Sequence, residues 1–318
     1  MPARLLVRHP DGRIEETSPQ DLSELRDRVC WLDVADPNDR DLDLVAEELK
    51  LHPLALEDTR HRHQRPKIDE YEDHYFVVFY ALEEPEPDVI RDVEVSIFLA
   101  QNVVVTVHSG ECAARVDVER RFRDGHLATP GLLLHGLLDT MVDGYFEIVD
   151  HFGERVELLE SLIVDQAGAD LPTSLGELFQ LKRDLLRIRQ RVAPERDVLN
   201  VLVRGDIREL REPGRRAYFQ DVYDHIVRVT DEIDTFRELT SNVIEAHLAA
   251  ASNRLNEILK VLTSVATILL VVTLVTSFFG MNFDVIPFRS EGLFWTAIAV
   301  MLVSTALLGV YFRRRGWL

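Results

Sequence analysis

One face of a charge-free segment gathers most of the chemistry that this sequence offers. Asn256, Leu259, Thr263, Ala266, Leu270, Thr273, Ser277 and Gly280 recur at alternating steps of three and four, so on a helix they share one face. The face mixes neutral oxygens with small and medium apolar groups and ends in Gly280-Met281-Asn282. Lipid disfavours Asn, Thr and Ser, so such a face should look toward other helices. Neutral oxygens suit a particular ligand. Magnesium dehydrates reluctantly, and side-chain carbonyls can accept hydrogen bonds from its retained waters without stripping them. A ring of fixed carboxylates would hold the ion too long, whereas passage needs weak successive sites. Asn282 carries this reading at the mouth, with Asn256, Thr263, Thr273 and Ser277 along the face. Leu259, Leu262 and Leu270 are candidate dewetting constrictions. Helix packing through small residues is the plainer alternative, and for Ala266 alone it is the better one.

These residues need a membrane helix to position them. No charge occurs from Val261 to Phe283, nor from Gly292 to Phe312. Each run exceeds the roughly 18 to 20 apolar residues that cross a hydrocarbon core. Between them lies a short connection, Asp284 to Glu291, whose acidity rests on those two residues and is opposed by Arg289. Arg254 and Lys260 precede the first run, and Arg313, Arg314 and Arg315 follow the second. The bias of basic residues predicts both outer ends in the cytoplasm and the short loop outside. One helix pair encloses no hydrophilic path, so conduction demands an oligomer around an axis. Upstream, no Gly or Pro interrupts the chain between Pro213-Gly214 and Gly280. That predicts one helix of roughly 65 residues, about 98 Å long, standing partly in the cytoplasm as a stalk.

Composition narrows the function classes. The 318 residues carry a formal net charge of −19, which disfavours nucleic acid and anionic membrane surfaces and favours cations. Cys30 and Cys112 are too few for a disulfide framework and read as buried, reduced thiols. The first residues lack an apolar core, so no secretory signal is expected. No phosphate-binding glycine loop, nucleophile elbow or HExxH motif is present, and neither an enzyme nor an organic cofactor is expected. His61, His63 and His74 cluster, but His-x-His without cysteine fits no standard zinc site, and a polar loop is the better reading.

Residues 1–130 alternate strand and helix patterns. Strands are expected over Val29–Val34, Tyr75–Ala81, Val93–Ala100 and Val103–His108, and a helix over Asp41–Leu49. From Pro130 the pattern is helical, with a breaker cluster at Gly168–Pro172. Asp139–Asp165 is acidic and Lys182–Arg196 basic. Antiparallel helices of opposite charge, a basic ring near the membrane, and two solvated faces all fit.

With these motifs in place the chain resembles the CorA family of magnesium transporters over most of its length. The resemblance rests on Gly280-Met281-Asn282 at the outer end of the first span, with a second span and a basic tail close behind. It extends to Lys260-Val261-Leu262-Thr263 and Ala266-Thr267-Ile268, and upstream to Trp31-Leu32-Asp33 with Asp36-Pro37, His52-Pro53-Leu54 to Glu57-Asp58, and Gln64-Arg65-Pro66-Lys67. It implies a funnel-shaped homopentamer in the cell membrane: an α/β cytoplasmic domain, a long stalk helix and a two-helix transmembrane hairpin, with both termini cytoplasmic. The expected parts are a 1–130 α/β domain, a 131–213 helical region, a 214–257 stalk, a pore-lining 258–282 span, a 283–291 outer loop, a 292–312 span and a 313–318 tail.

The resemblance further implies Mg2+, with Co2+ or Ni2+, as substrate, and Gly280, Met281 and Asn282 as selectivity filter. It implies Mg2+ as regulatory ligand too, at Asp58 with Glu245 and at a second set of Glu57, Asp139 and Asp221. Two departures stand out: Ile286-Pro287-Phe288 where the family often has Met-Pro-Glu, and Val272 where a proline is common. The alternatives are a zinc transporter of the same superfamily and a membrane-anchored sensor or scaffold that conducts nothing. Proton-coupled zinc movement would use ionisable groups, and none lies between Lys260 and Asp284.

Overall fold

A computed structural model describes residues 3–25, 27–86, 89–165, 171–205, 207, 214–281 and 291–318. The chain divides into two compact units, Met1–Ser241 and Asn242–Leu318.

Seven strands form the sheet of the first unit: β1 (Arg4–Arg8), β2 (Ile14–Thr17), β3 (Val29–Val34), β4 (Lys67–Glu70), β5 (Tyr75–Glu86), β6 (Val89–Ala100) and β7 (Val103–Val107). Their order is β2-β1-β3-β7-β6-β5-β4. β3 and β7 pair in parallel, Cys30 opposite Val103 through Val34 opposite Val107, and the other neighbours are antiparallel. The expected strand Val29–Val34 has those ends. β5 and β6 run past the expected Ala81 and Val93 to meet in a hairpin, Glu86 opposite Val89. Their extensions are charged and partly exposed, so no apolar run announced them.

Both faces of the sheet are covered, which is why β5 reads as an unbroken apolar run. On one face Phe76, Val78, Phe98, Val105 and Val107 pack with Leu42 and Val45 of α1 (Arg40–Glu48) and Ala55 of α2 (Pro53–His61). On the other, Trp31 meets Phe122 of α3 (Ala113–Arg123) edge-on, ring centroids 6.0 Å apart. α1 starts where a cap is available: the Asp39 side chain accepts from Asp41 N–H at 3.0 Å.

Two long helices follow, α4 (Pro130–Asp165) and α5 (Leu171–Arg204), and then α6 (Arg215–Phe279), 65 residues with the start and end that its breakers predicted. Three arginines of α5 find partners other than the acids of α4. Arg187 and Arg191 clamp Asp92 of β6 at 2.6 and 2.9 Å, and Arg189 pairs with Asp234 of α6 at 2.6 Å. The basic stretch ties α5 to the sheet and to α6 instead.

A buried polar ring closes this unit. The wholly buried Glu195 of α5 accepts Tyr80 N–H of β5 at 2.8 Å, and its second oxygen lies 2.8 Å from the Tyr145 hydroxyl of α4, which also reaches Tyr80 O. One hydroxyl hydrogen cannot serve both acceptors. Burial pushes the Glu195 pKa well above the carboxylate range, so the acid is neutral and supplies the second hydrogen. Three elements thus share one closed set of neutral hydrogen bonds. Glu195→Gln preserves a donor and an acceptor and should cost under about 1 kcal/mol, whereas Glu195→Ala strands Tyr80 N–H and Tyr145 and should cost roughly 2–4 kcal/mol. Thermal melts of the solubilised chain, compared at equal pH, distinguish the two.

Candidate cation path and acidic cluster

The second unit holds the later part of α6 and all of α7 (Glu291–Arg314), and both helices are long and apolar enough to span a membrane. Their large side chains are open to the surroundings: Leu262 is 61% exposed, Leu270 68%, Trp295 66% and Leu302 66%. A core helix of a soluble protein buries such groups, so composition and exposure together select a lipid setting. α6 does carry a more shielded stripe at Ser264, Thr267, Ile268, Val271, Val272, Val275 and Phe279. α7 carries one at Leu293, Ala297, Ile298, Met301, Ser304, Thr305, Leu308 and Phe312. Steps of three and four are what packed helices bury. The polar stripe on α6 is a different one. Asn256, Leu259, Thr263, Ala266, Leu270, Thr273 and Ser277 are all exposed.

Hydroxyls along α6 turn their hydrogens back on the helix. Thr273 Oγ1 donates to Leu269 O at 2.8 Å, Thr267 to Thr263 O at 2.7 Å and Ser264 to Lys260 O at 2.8 Å. With its hydrogen engaged, the Thr273 oxygen offers only lone pairs outward, which suits the water hydrogens of a hydrated cation. Past Phe279 the helix tightens: Gly280 N–H reaches Thr276 O at 2.9 Å, and Met281 N–H reaches Phe278 O at 3.3 Å. A Cβ on Gly280 would stand 3.2 Å from Thr276 O, a tight contact that the backbone would have to relieve by a few tenths of an ångström. Asn282 and Asp284 lie outside the described residues, and Glu291 is exposed at the start of α7. The far end of α7 is pinned. Gly316 (φ +69°) allows Trp317 N–H to reach Phe312 O at 2.9 Å, and the Trp317 ring stacks on Phe312 at 5.5 Å.

The predicted regulatory acids fall in three places. Asp58, on α2, bonds Lys67 of β4 at 2.8 Å, and Lys67 also holds Asp69 at 2.6 Å. Burial opposes the Lys67 charge, but those two hydrogen bonds outweigh it and hold its pKa above the ordinary value. Arg60 pairs with Asp43 rather than with its own helix neighbours, and Glu57 is exposed, 3.7 Å from His61. Glu245 is exposed on the part of α6 that belongs to the second unit.

Asp139 enters a cluster that the sequence did not reveal. One ligand atom from each of Asp139, Asp143 and His225 lies within 4.8 Å of the others. Asp139 also takes Arg121 Nη1 at 3.3 Å, and His225 Nδ1 stands 3.6 Å from Asp143. Partial desolvation first, and the charge of Asp139 next, push the Asp143 carboxyl up; Asp221 adds to the same negative field. The buried His135 is pushed down by desolvation, against the pull of Asp139 and Asp221. The spacing was legible in principle, since Asp139–Asp143 on α4 and Asp221–His225 on α6 are both four residues apart. A cavity of about 730 Å³ opens beside it, lined by Arg121, Thr140, Asp143 and Glu147 among others. Two carboxylates and an imidazole can hold a divalent cation that keeps part of its water.

A mixed α/β unit, one breaker-free helix leading into a charge-free hairpin, and acids poised for divalent cations define a two-span membrane protein of the metal-ion transporter class. Comparison with known proteins makes this specific. The family described as CorA-like Mg2+ transporter protein matches residues 26–314, and the chain belongs to it. The cobalt/magnesium transport protein CorA of Thermotoga maritima is 32% identical over 280 residues, 86% of this chain and 79% of that protein. The complete structure of the CorA magnesium transporter from Methanocaldococcus jannaschii superposes with a TM-score of 0.85 at 24% identity, over 100% of this chain and 99% of that one. The ZntB cytoplasmic domain of Vibrio parahaemolyticus shares the fold of the soluble part, with a TM-score of 0.66 at 9% identity over 80% of this chain.

Because the metal-free cluster forces negative groups together, Asp143→Asn should raise the melting temperature slightly at neutral pH without metal. The same change should shrink the further rise produced by millimolar Mg2+. An undiminished Mg2+ increment in the variant would show that no cation is held there.

Proposed function

We propose that this chain is a divalent-cation channel that admits partly hydrated Mg2+, and with it Co2+ or Ni2+, down the electrochemical gradient. Assembly as a homopentamer in the cell membrane surrounds one axis with five copies of α6, both termini lying in the cytoplasm. Asn282, with Gly280 and Met281, forms the outer filter. Asn256, Thr263, Thr273 and Ser277 line the path, Leu259, Leu262 and Leu270 close it by dewetting, and Asp284 and Glu291 sit at the outer loop. The observation that carries this reading is the exposed polar stripe of α6, distinct from its shielded stripe and leading into the signature. Membership in the family supports the same ion class. Inward movement needs no coupled enzyme. Each charge gains about 2.3 kcal/mol per 100 mV, so a divalent ion gains about 4.6 kcal/mol.

Cytoplasmic Mg2+ is the proposed brake, bound by Asp58 with Glu245 and by Asp139 and Asp221 with Glu57. Carboxylates meeting at a subunit interface repel, so a bound cation draws the subunits together and its loss releases them. The Asp58–Lys67 pair holds α2 in place for this role. Zinc as cargo is disfavoured because the path between Lys260 and Asp284 offers no ionisable group for proton coupling.

Ion flux into liposomes tests both parts. Potential-driven Mg2+ entry is expected, insensitive to a pH gradient and reduced at least tenfold by Asn282→Ala; entry indifferent to that change would sink the channel assignment. Asp58→Ala combined with Glu245→Ala should leave flux running at internal Mg2+ concentrations that stop the wild type, and unchanged inhibition would remove those residues from the brake.

A further inference from the structure

Helix α2 is capped by an imidazole where Ser, Asp or Asn is usual. His52 has extended backbone at the N-cap (φ −67°, ψ 134°), and its Nδ1 accepts Leu54 N–H at 3.2 Å. Pro53 occupies the first helical position and brings no N–H of its own. The His52 ring is held in that pose by a stack: it lies on Tyr71, centroids 4.3 Å apart and 17° from parallel, and Tyr71 lies on His74 at 5.0 Å and 20°. The next contact, His74 with Phe98 at 5.9 Å, carries the stack into the core. His74 also serves the helix start, since its Nε2 accepts His52 N–H at 3.4 Å.

Both contacts require an unprotonated nitrogen. A carboxylate or hydroxyl cap keeps its lone pairs throughout the physiological range, whereas an imidazole with an ordinary pKa near 6.5 does not. Protonation of His52 Nδ1 removes the acceptor and sets a positive charge against the positive end of the helix dipole. The ring need not leave Tyr71, whose face tolerates a cation. The charged and titratable surroundings offer it no compensating anion. His52 faces Tyr71 and His74; Asp73 acts on His74; Asp69, Lys67 and Asp58 act on Tyr71. Among the described residues no carboxylate makes an ion pair with His52. His74 is only 2% exposed, and burial first, then His52, push its pKa down while Asp73 pushes it up. A depressed histidine contributes stability that is fully present above its unfolded value near 6.5 and lost as pH falls below it.

We propose that His52 is a proton-sensitive positioning residue for α2, so that protons and cytoplasmic divalent cations act in opposite directions on the helix that carries Glu57 and Asp58. The capping claim stands on geometry alone; its consequence for transport rests on the proposed role of Asp58. Acidification uncaps α2, loosens the placement of Asp58 against Lys67 and weakens cation binding there. The brake then needs more Mg2+ at acid pH than at neutral pH.

Asn is among the best N-caps and does not titrate, so His52→Asn separates capping from protonation. Hydrogen exchange of the peptide covering Leu54–Asp58, measured on the full-length solubilised chain and corrected for intrinsic rates, should show wild-type protection falling roughly three- to tenfold from pH 7.5 to pH 5.5, the range a lost cap produces. His52→Asn should be flat across that range and as protected as wild type at pH 7.5. His52→Phe keeps the ring on Tyr71 without an acceptor and should show the low value at both pH values. A pH-dependent loss in His52→Asn equal to the wild type overturns the proposal. Adding 20 mM Mg2+ separates the two claims. Cation-induced protection that shifts to higher Mg2+ at pH 5.5 in wild type but not in His52→Asn supports the coupling. Pronounced pH-dependent capping with no Mg2+ effect on this peptide overturns the coupling and the role of Asp58, and leaves the cap itself intact.

Discussion

Every backbone N–H and C=O that enters hydrocarbon must be satisfied within its own helix, and most features of the second unit follow from that demand. The charge-free part of α6 meets it with an unbroken helix, which runs from Arg215 to Phe279 without Gly or Pro. The same demand governs the polar side chains. A hydroxyl in lipid must find an acceptor, and in α6 the acceptor is the carbonyl one turn back, as for Thr273 on Leu269 and Thr276 on Val272. Satisfying the hydrogen in this way leaves oxygen lone pairs as the outward face of the residue. The same step that makes the helix tolerable in a membrane therefore makes one of its faces attractive to hydrated cations.

Charge is partitioned just as sharply. The charge-free runs carry none, while the first unit holds all of the excess acid behind the net charge of −19, since bases outnumber acids in the second unit. Within that unit the acids serve two ends. Asp92 and Asp234 bond arginines of α5 and are committed to structure, with the Asp92 pKa held down by Arg187 and Arg191 against desolvation. Asp143 lacks that compensation, and desolvation with the charge of Asp139 pushes it up rather than down. Two carboxyls with opposite shifts in one unit mark the difference between an acid already paired and one that still gains from a cation. The buried Glu195 is a third case, neutral and fused into the ring that joins α4, α5 and β5.

What could be read from the sequence depended on whether a position is decided locally. The ends of α6 were legible because Pro213-Gly214 and Gly280 are strong breakers, and β3 because its apolar residues are buried on both faces. β2 (Ile-Glu-Glu-Thr) and β4 (Lys-Ile-Asp-Glu) were not, because edge strands are short and charged and borrow their order from the neighbour they pair with. α2 was missed as a helix for a related reason: its cap is an imidazole held in place by Tyr71, a residue 19 positions away whose contact no local pattern encodes. The opposite charges of Asp139–Asp165 and Lys182–Arg196 left pairing between α4 and α5 as one reading among three, and Arg187, Arg191 and Arg189 found partners on β6 and α6. Asp143 and His225 each show helical spacing to an expected acid, but only the approach of α4 to α6 makes them one cluster.

The division between neutral oxygens in the spans and carboxylates in the first unit carries a kinetic argument. A site that passes ions must release them within microseconds, and the bound state must therefore be shallow; a site that senses ions must stay occupied at cellular concentrations, and so must be deep. One set of ligands cannot do both. Carboxylates in the path would trap Mg2+, and amide or hydroxyl oxygens in the first unit would never fill. On the proposed reading α6 resolves this by joining the two tasks end to end, with Asn256 to Ser277 on its membrane face and Asp221 and Glu245 further back on the same continuous helix.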